Sequence, residues 1–155
     1  MFPVEMCPRN LYSMIEPWYL TGVVEFAGSF TYSRTDRNVV PYFAIKLAED
    51  EAGLLEEIRT YFGGVGRIYV LGSKRLGQAP PDGRTGSRYY RVTRVQDLDL
   101  VVSHFEEFPL RGRKASLFVA WREIVLLKRD RYRKPDRAKV DELCAALSDA
   151  GRHRT

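Results

Sequence analysis

Hydrogen-bonding side chains recur at every second position in three short segments of the chain. Alternate residues of an extended strand point to the same side, so each run would place its side chains on one surface. Serine, threonine, tyrosine and arginine supply donors and acceptors for the edges of DNA bases, and arginine suits guanine. An ordinary solvated sheet surface is the alternative explanation. The residues are Thr31, Ser33, Thr35, Arg67, Tyr69, Tyr89, Arg91 and Thr93.

Basic residues are concentrated in a second region, near the carboxyl end of the chain. Seven lysines and arginines stand against two acids between residues 128 and 139. Arg133 and Lys134, at the centre of this segment, are candidates for contact with nucleic-acid phosphates. A solvated linker before the last helix is the alternative. The loop from Gly72 to Gly86 also carries basic residues, and it is either a second phosphate contact or a surface insertion without a partner.

Composition favours a folded protein with a polyanionic partner. Hydrophobic residues make up 45% of the chain and charged residues 29%, which excludes a disordered chain and a collagen-like fibre. Lysine and arginine number 25 against 20 acids, and the net charge of +5 favours a polyanion over a cationic partner. No stretch approaches the ~20 uninterrupted apolar residues that span a bilayer.

The cysteines and the N-terminal residues bear on the cellular compartment in which the protein works. Cys7 and Cys144 fit no metal-ligand spacing, so we expect free thiols in a reducing environment. The first residues lack the basic and apolar regions of a secretion signal. These features predict an intracellular, cytoplasmic protein that does not act in a membrane.

Hydrophobic periodicity predicts a helix before each of two hairpins, and three helices after them. Two hairpins of similar size can pair into one four-stranded antiparallel sheet with helices on a single face. The uncovered face would then carry the alternating polar side chains. The predicted strands are Phe30–Arg34, Val39–Leu47, Arg67–Leu71 and Tyr89–Arg94, and the helices include Trp18–Phe26 and segments around Leu55, Val101, Trp121 and Leu143.

The first helix carries a motif. Residues 20–28 read LTGVVEFAG and are followed by Ser29 and Phe30. This segment resembles the signature of the LAGLIDADG homing endonuclease family in its single-motif form. The similarity continues in the expected order over roughly residues 17–128, through PYFAI at 41–45, LLEEI at 54–58, VGRIY at 65–69 and FPL at 108–110. Such a series is more specific than the nonapeptide alone.

The resemblance implies an α+β protomer with the element order αββαββα, a saddle-shaped sheet and additional C-terminal helices. It also implies a homodimer that lays two sheets into the major groove of a long, nearly palindromic DNA site. The motif helices would form the dimer interface, where Phe26 lies and where Gly22 permits close approach of two backbones. A packing glycine within one subunit is the alternative for Gly22. The expected organisation is an N-terminal extension (1–16), a DNA-binding domain (17–128) and a basic linker with a C-terminal helix (129–155).

The resemblance implies metal-assisted phosphodiester hydrolysis, with an acid at the eighth motif position of each subunit holding Mg²⁺. This sequence has Ala27 at that position, and a methyl group cannot ligate a metal. Leu47 stands where the family's pocket often carries a glutamine, and Arg113 matches its usual basic residue. Glu25 matches an acidic motif position that is mainly structural. It is only a remote candidate ligand, because successive helical residues differ by ~100° in direction.

We therefore expect a sequence-specific, double-stranded DNA-binding homodimer in which Mg²⁺-dependent cleavage is lost or impaired. An active endonuclease with an unusual ligand set is one alternative. An RNA-binding helper of intron splicing, a role that some relatives resemble, is another. A metal-dependent cleavage assay separates the first two hypotheses, and competition between duplex DNA and structured RNA separates the third.

Overall fold

The described part of the chain contains five α-helices and four β-strands. A computed structural model describes residues 15–36, 38–71, 86–130 and 134–152. A short 3₁₀ turn, Glu49–Glu51, precedes the second helix. The helices are α1 (Pro17–Ala27), α2 (Ala52–Tyr61), α3 (Val95–Glu107), α4 (Lys114–Arg129) and α5 (Arg137–Arg152). The strands are β1 (Gly28–Thr35), β2 (Asn38–Ala48), β3 (Arg67–Leu71) and β4 (Ser87–Val92).

The four strands form one antiparallel sheet in the order β1-β2-β4-β3. Phe30 faces Phe43 across the β1–β2 pair, and Phe43 faces Val92 across the β2–β4 pair. The two predicted hairpins therefore join through β2 and β4, which become the inner strands. This arrangement confirms the predicted αββαββα order and the four-stranded antiparallel sheet.

The core lies between the helices and one face of the sheet. Phe30 is its aromatic centre, because four rings pack around it at centroid distances of 5.2 to 5.5 Å. The indole N–H of the fully buried Trp121 donates to the carbonyls of Thr31 and Tyr42, both at 3.1 Å. This side chain therefore ties α4 to β1 and β2. The rings around Phe30 are those of Phe43, Phe105, Phe118 and Trp121.

The C-terminal helix α5 packs into the same core. Val140, Cys144 and Leu147 are buried on one side of α5 and belong to the main hydrophobic cluster. The hydroxyl groups of Tyr32 and Ser148 lie 2.9 Å apart, which links β1 to α5. The division of the chain near residue 128 stays a prediction, and residues 1–14 of the expected extension lie outside the described residues.

The motif helix passes directly into the first strand, which begins at Gly28 and not at Phe30 as predicted. A Cβ atom on Gly28 would lie 2.5 Å from the Val24 Cγ1 atom and 2.9 Å from its carbonyl oxygen. A glycine is therefore required where the strand turns away from the last helical turn. The predicted fourth strand, Tyr89–Arg94, is displaced by two residues, because Arg94 serves as the N-cap of α3.

Candidate nucleic-acid interface and motif helix

One face of the sheet is turned away from the helices, and we call it the open face. Core residues such as Phe43 and Tyr90 occupy the opposite face, and the residues between them point outward. The structure brings seven of the predicted residues to this face, while Thr93 follows the end of β4. The seven residues are Thr31, Ser33, Thr35, Arg67, Tyr69, Tyr89 and Arg91.

The inner strand β2 adds two residues to the open face that sequence reasoning missed. Tyr42 and Lys46 stand on the side of β2 away from the buried Phe43 and Ile45. The segment around them reads as an almost continuous apolar run, so alternation gave no clear signal. The half-buried Tyr42 and the exposed Lys46 extend the polar surface across all four strands.

At the centre of the open face, an arginine packs on one tyrosine ring and two other tyrosine rings pack together. The guanidinium carbon of Arg91 lies 3.7 Å from the centroid of the Tyr42 ring, a cation–π contact. Tyr69 and Tyr89 are paired with their ring centroids 6.4 Å apart. Burial, together with a hydrogen bond to Tyr42, raises the pKa of Tyr89 to about 12. The Tyr89 hydroxyl, like an ordinary tyrosine hydroxyl, is protonated near neutral pH, and here it lies against Tyr42.

A basic cavity lies at the outer end of the β1–β2 hairpin, between the ends of α4 and α5. Lys134 lines it together with Arg34, Lys128 and Arg137. Arg34 is paired with Asp141 at 2.8 Å, so part of this charge is compensated. The predicted phosphate contact by Lys134 is compatible with this position and stays a prediction. Its neighbour in the prediction, residue 133, is an arginine outside the described residues.

One side of the motif helix α1 is exposed and largely apolar. Tyr19, Gly22 and Phe26 follow one another at intervals of three and four residues, so they share one side. Phe26 is 92% exposed and Tyr19 56% exposed. A Cβ atom on Gly22 would meet no atom within 4 Å. Within the described protomer, Gly22 therefore has no packing role.

The other side of α1 is held by a buried hydrogen-bond chain. The Thr21 hydroxyl donates to the Phe108 carbonyl at 2.9 Å and lies 3.0 Å from Nε2 of His104. Nδ1 of His104 lies 2.9 Å from the Tyr61 hydroxyl. Since Thr21 donates to the carbonyl, Nε2–H donates to Thr21 and Nδ1 accepts from Tyr61. Burial lowers the pKa of His104 to about 4, so its ring is neutral.

His104 is a polar side chain inside the core, where it is 5% exposed. The reason is that α1, α2 and α3 converge on it, with Thr21 and Tyr61 supplying one polar partner for each ring nitrogen. Two sequence features could have indicated that His104 is buried. Thr21 is a polar residue inside an apolar helix, and His104 lies on the apolar side of the third helix.

Glu25 binds the chain segment that leads into α4. Its Oε1 atom accepts hydrogen bonds from the backbone N–H groups of Arg111 at 2.6 Å and Gly112 at 2.9 Å. A Cβ atom on Gly112 would lie 2.8 Å from Oε2 of Glu25. The carboxylate is thus committed to a structural contact, as the resemblance implied for this motif position.

The residues expected near a cleavage site are distributed around the carboxyl end of α1. Ala27 is the last residue of α1 and is partly buried. The guanidinium of Arg113 donates to the Ala150 carbonyl at 2.6 Å, while the ammonium group of its neighbour Lys114 donates to the Val24 carbonyl at 2.9 Å. Leu47 packs against the hydrophobic core. Lys114, which sequence reasoning did not select, therefore reaches the motif helix, and Arg113 reaches α5.

The donor groups at the end of α1 do not fit a magnesium ion. Mg²⁺ requires several hard oxygen ligands in near-octahedral geometry. Ala27 offers a methyl group, Glu25 is held by two backbone N–H groups, and the nearby Arg113 and Lys114 are cationic. In the described ranges there is no group of three or more histidine, cysteine or acidic side chains that could hold a metal.

The fold and the motif helix are matched by one known family. The sequence profile of the LAGLIDADG endonucleases matches residues 20–125, which is more than half of the chain. The chain belongs to the LAGLIDADG endonuclease family. In this LAGLIDADG chain the motif helix is α1, and its eighth position is Ala27.

Two curated relatives show where similar LAGLIDADG sequences occur. An uncharacterized 50.9 kDa protein in ND4 intron 1 of Podospora anserina is 29% identical over 124 residues, covering 74% of this chain and 25% of the relative. A probable intron-encoded endonuclease 3 of Neurospora crassa is 25% identical over 121 residues, covering 73% of this chain and 20% of the relative. The chain therefore spans a quarter or less of these relatives.

Solved LAGLIDADG structures share the fold. The meganuclease I-AabMI, bound to uncleaved DNA, is 29% identical with a TM-score of 0.71, and the match covers 86% of this chain and 45% of that one. I-GzeII, in complex with a DNA target, is 27% identical with a TM-score of 0.66 and coverages of 86% and 43%. I-TnaI, 21% identical with a TM-score of 0.68, shows the fold alone, over 89% of this chain and 95% of that one. The described residues contain no helix with the length and hydrophobicity of a membrane crossing.

Proposed function

We propose that this LAGLIDADG chain binds double-stranded DNA sequence-specifically as a homodimer and does not cleave it with Mg²⁺. The observation that carries the proposal is the open face, where side chains with donors and acceptors stand on four strands above a fully built core. The similarity to I-AabMI and I-GzeII, which were solved with DNA, supports it.

The open face supplies the chemistry of base recognition. The major groove is about 12 Å wide and admits a two-stranded ribbon, and each base pair presents a distinct donor and acceptor pattern there. Arg91 is held against Tyr42, so less side-chain freedom is lost when its guanidinium binds a base edge. Tyr89 lies on the same face and adds a hydroxyl group, which can accept a hydrogen bond from a base edge. Base readout by these residues accounts for sequence preference, and basic residues such as Lys134 add affinity through phosphates.

The exposed side of α1 supports self-association. An apolar ring that is 92% exposed, that of Phe26, gains from burial against a second apolar surface. Gly22 leaves room for the backbone of a second helix. The chain also covers slightly less than half of I-AabMI, which leaves room in that relative for a second unit of this size. A pair of chains packed through α1 would present two open faces to one duplex.

The donor set at the end of α1 supports the absence of Mg²⁺-dependent cleavage. Metal-assisted hydrolysis needs carboxylates that hold the ion beside the scissile phosphate. Ala27 supplies none, and the oxygen atoms of Glu25 lie against the segment before α4. Fold and DNA surface are therefore retained without the ligands for the chemical step.

The test is selection of bound duplexes from a random library, followed by affinity and cleavage assays. We expect a long, nearly palindromic consensus, binding by two copies of the chain, and intact DNA after incubation with Mg²⁺. Affinity should fall steeply with salt because several phosphates are neutralised. Efficient cleavage would favour an active endonuclease, and preference for structured RNA over every duplex would favour a splicing helper.

A further inference from the structure

A recess lies at the outer end of β3 and β4, beside the open face. The turn between α2 and β3, which contains Gly63, Gly64 and Gly66, forms one wall of this recess. The recess has a volume of about 500 Å³. Arg67 and Arg91 line it from the two strands. Arg94 lines it from the segment that leads into α3. We call this site the glycine–arginine recess.

The turn is a fixed wall. Gly63, Gly64 and Gly66 have φ angles of +75°, +79° and +80°, which disfavour other residues. The N–H groups of Gly63 and Gly64 donate to carbonyls at the end of α2 at 3.0 and 2.9 Å. The buried Tyr90 hydroxyl donates to the Val65 carbonyl at 2.9 Å, which directs that acceptor toward the core.

The close packing of Gly66 adds to this rigidity. A Cβ atom on Gly66 would lie 2.7 Å from the Arg91 carbonyl oxygen and 2.8 Å from the Tyr90 ring. The turn therefore lies directly against β4. At Gly63 and Gly64, by contrast, a Cβ atom would enter open space. The wall presents bare backbone there, so a ligand can approach it closely.

Positive charge in the recess is only partly compensated. Arg67 and Arg91 are directly opposite each other across β3 and β4 and point to the same face, an arrangement that destabilises a sheet. Within the described residues, no carboxylate forms an ion pair with either of them. Asp97 is the one acid lining the cavity, and its carboxylate lies 3.9 Å from Arg94. Three guanidinium groups thus face one carboxylate.

We propose that the glycine–arginine recess binds a phosphate group of the DNA backbone next to the bases that the open face contacts. A phosphate bound by Arg67 offsets the repulsion between Arg67 and the neighbouring Arg91, and guanidinium groups match phosphate geometry. Arg91 is held against the Tyr42 ring and adds positive charge to the recess. The exposed Arg67 and Arg94 contact the phosphate. This inference rests on the proposed function and adds a phosphate site to the base-reading surface.

The first arm of the test uses inorganic phosphate and no DNA. Titration into the 155-residue chain, followed by NMR, should shift the backbone amide signals of Gly63, Gly64 and Gly66 with saturation. Arg67→Gln and Arg94→Gln should each weaken these shifts, because each removes one positive charge. Arg122→Gln is the matched control, since Arg122 is ion-paired with Glu106 and Glu123 in the helical layer. Shifts that do not saturate, or that survive both recess variants, would overturn the site.

The second arm measures duplex affinity against salt concentration. Arg67→Gln should weaken all duplexes about equally, by about threefold to tenfold at low salt, and reduce the magnitude of the salt slope by about 1. Arg122→Gln should match the unmodified protein. Saturating phosphate shifts without any effect of Arg67→Gln on duplex binding would assign the recess to free phosphate and overturn the DNA contact. If the unmodified protein bound no duplex, the proposed function would fail, while the phosphate titration would still decide the recess.

Discussion

The two sides of the motif helix α1 differ in how many packing and hydrogen-bond contacts they make within the protomer. On the buried side, Leu20 and Val24 have no exposed surface, and Thr21 completes a hydrogen-bond chain to two other helices. On the exposed side, Phe26 is almost fully solvent-accessible, and a Cβ atom on Gly22 would meet no atom within 4 Å. Folding of a single protomer constrains the first side and leaves the second side free.

Under the proposed function, this difference explains how a LAGLIDADG chain can keep its fold without a metal-binding acid at position 27. Ala27 ends the helix and contributes only a methyl group to the edge of the core. The other acidic motif residue, Glu25, is retained, and it holds the segment before α4 in place. In the proposed function, the carboxylate with a structural contact is present, and the one that would bind the metal is absent.

The largest effect on activity should come from Ala27→Glu, which adds a carboxylate at the carboxyl end of α1. We expect new Mg²⁺ binding and slow double-strand cleavage. A bound metal ion stabilises the transition state by several kcal/mol, and about 4 kcal/mol corresponds to roughly a 1,000-fold rate increase. Leu47 limits the gain, since it supplies no polar group to position water. Phe26→Gly in the same background should raise the rate further by letting the two new carboxylates approach. Cleavage of the selected duplex is the measurement.

Ala27→Gln is the matched control for that experiment, because the glutamine side chain has nearly the same size as glutamate and carries no charge. It should bind the duplex and show neither metal binding nor cleavage. Equal metal binding by the glutamate and glutamine variants, or efficient cleavage by the unmodified protein, would show that Ala27 does not occupy the metal position.

The same comparison shows which parts of the molecule the sequence could predict. Helices and strands followed from apolar periodicity, because each element buries one side. The open-face positions of β1, β3 and β4 followed from alternation, whereas Tyr42 and Lys46 did not, since the inner strand β2 is apolar on both sides of its central residues. The contact of Lys114 with α1 and the stacking of Arg91 on Tyr42 depend on how distant segments pack, which no local pattern contains.

A second prediction concerns the buried side of α1. Thr21→Val removes the hydroxyl that joins His104 to the Phe108 carbonyl and leaves an N–H group and a carbonyl without that partner. One buried N–H group and one partly buried carbonyl left unsatisfied should lower the free energy of unfolding by about 2 to 3 kcal/mol. Thr21→Ser, which keeps the hydroxyl, should lose much less. Urea denaturation of the three proteins checks this, and equal stability of the valine and serine variants would contradict the hydrogen-bond chain.

A third prediction uses the pH dependence of the same network. The pKa of His104 is about 4 in the folded protein, below the ordinary value of about 6.5 that applies to the unfolded chain. The unfolded chain therefore binds the proton first as pH falls. The stabilisation is fully present above pH ~6.5 and is lost progressively toward pH ~4, up to about 3 kcal/mol.

The measurement is urea denaturation of the unmodified protein and of His104→Gln between pH 7.5 and pH 4. Carboxylates elsewhere titrate in both proteins, so the difference between the two curves isolates the histidine. That difference should shrink as pH falls. A difference that is constant across this range would show that folding does not lower the pKa of His104.

The smallest effect, and the one that separates the two sides most sharply, should come from Gly22→Ala. Within one protomer the new methyl group meets no atom within 4 Å, and alanine in a helix interior is more favourable than glycine by about 1 kcal/mol. In the proposed dimer the same methyl group would stand between two helix backbones and weaken association. Stability measured at high dilution should therefore rise slightly, while sedimentation equilibrium should show a larger dimer dissociation constant. A variant that is stabilised without any change in association would place the dimer contact elsewhere than on Gly22, because no other feature of the described protomer opposes a methyl group at this position.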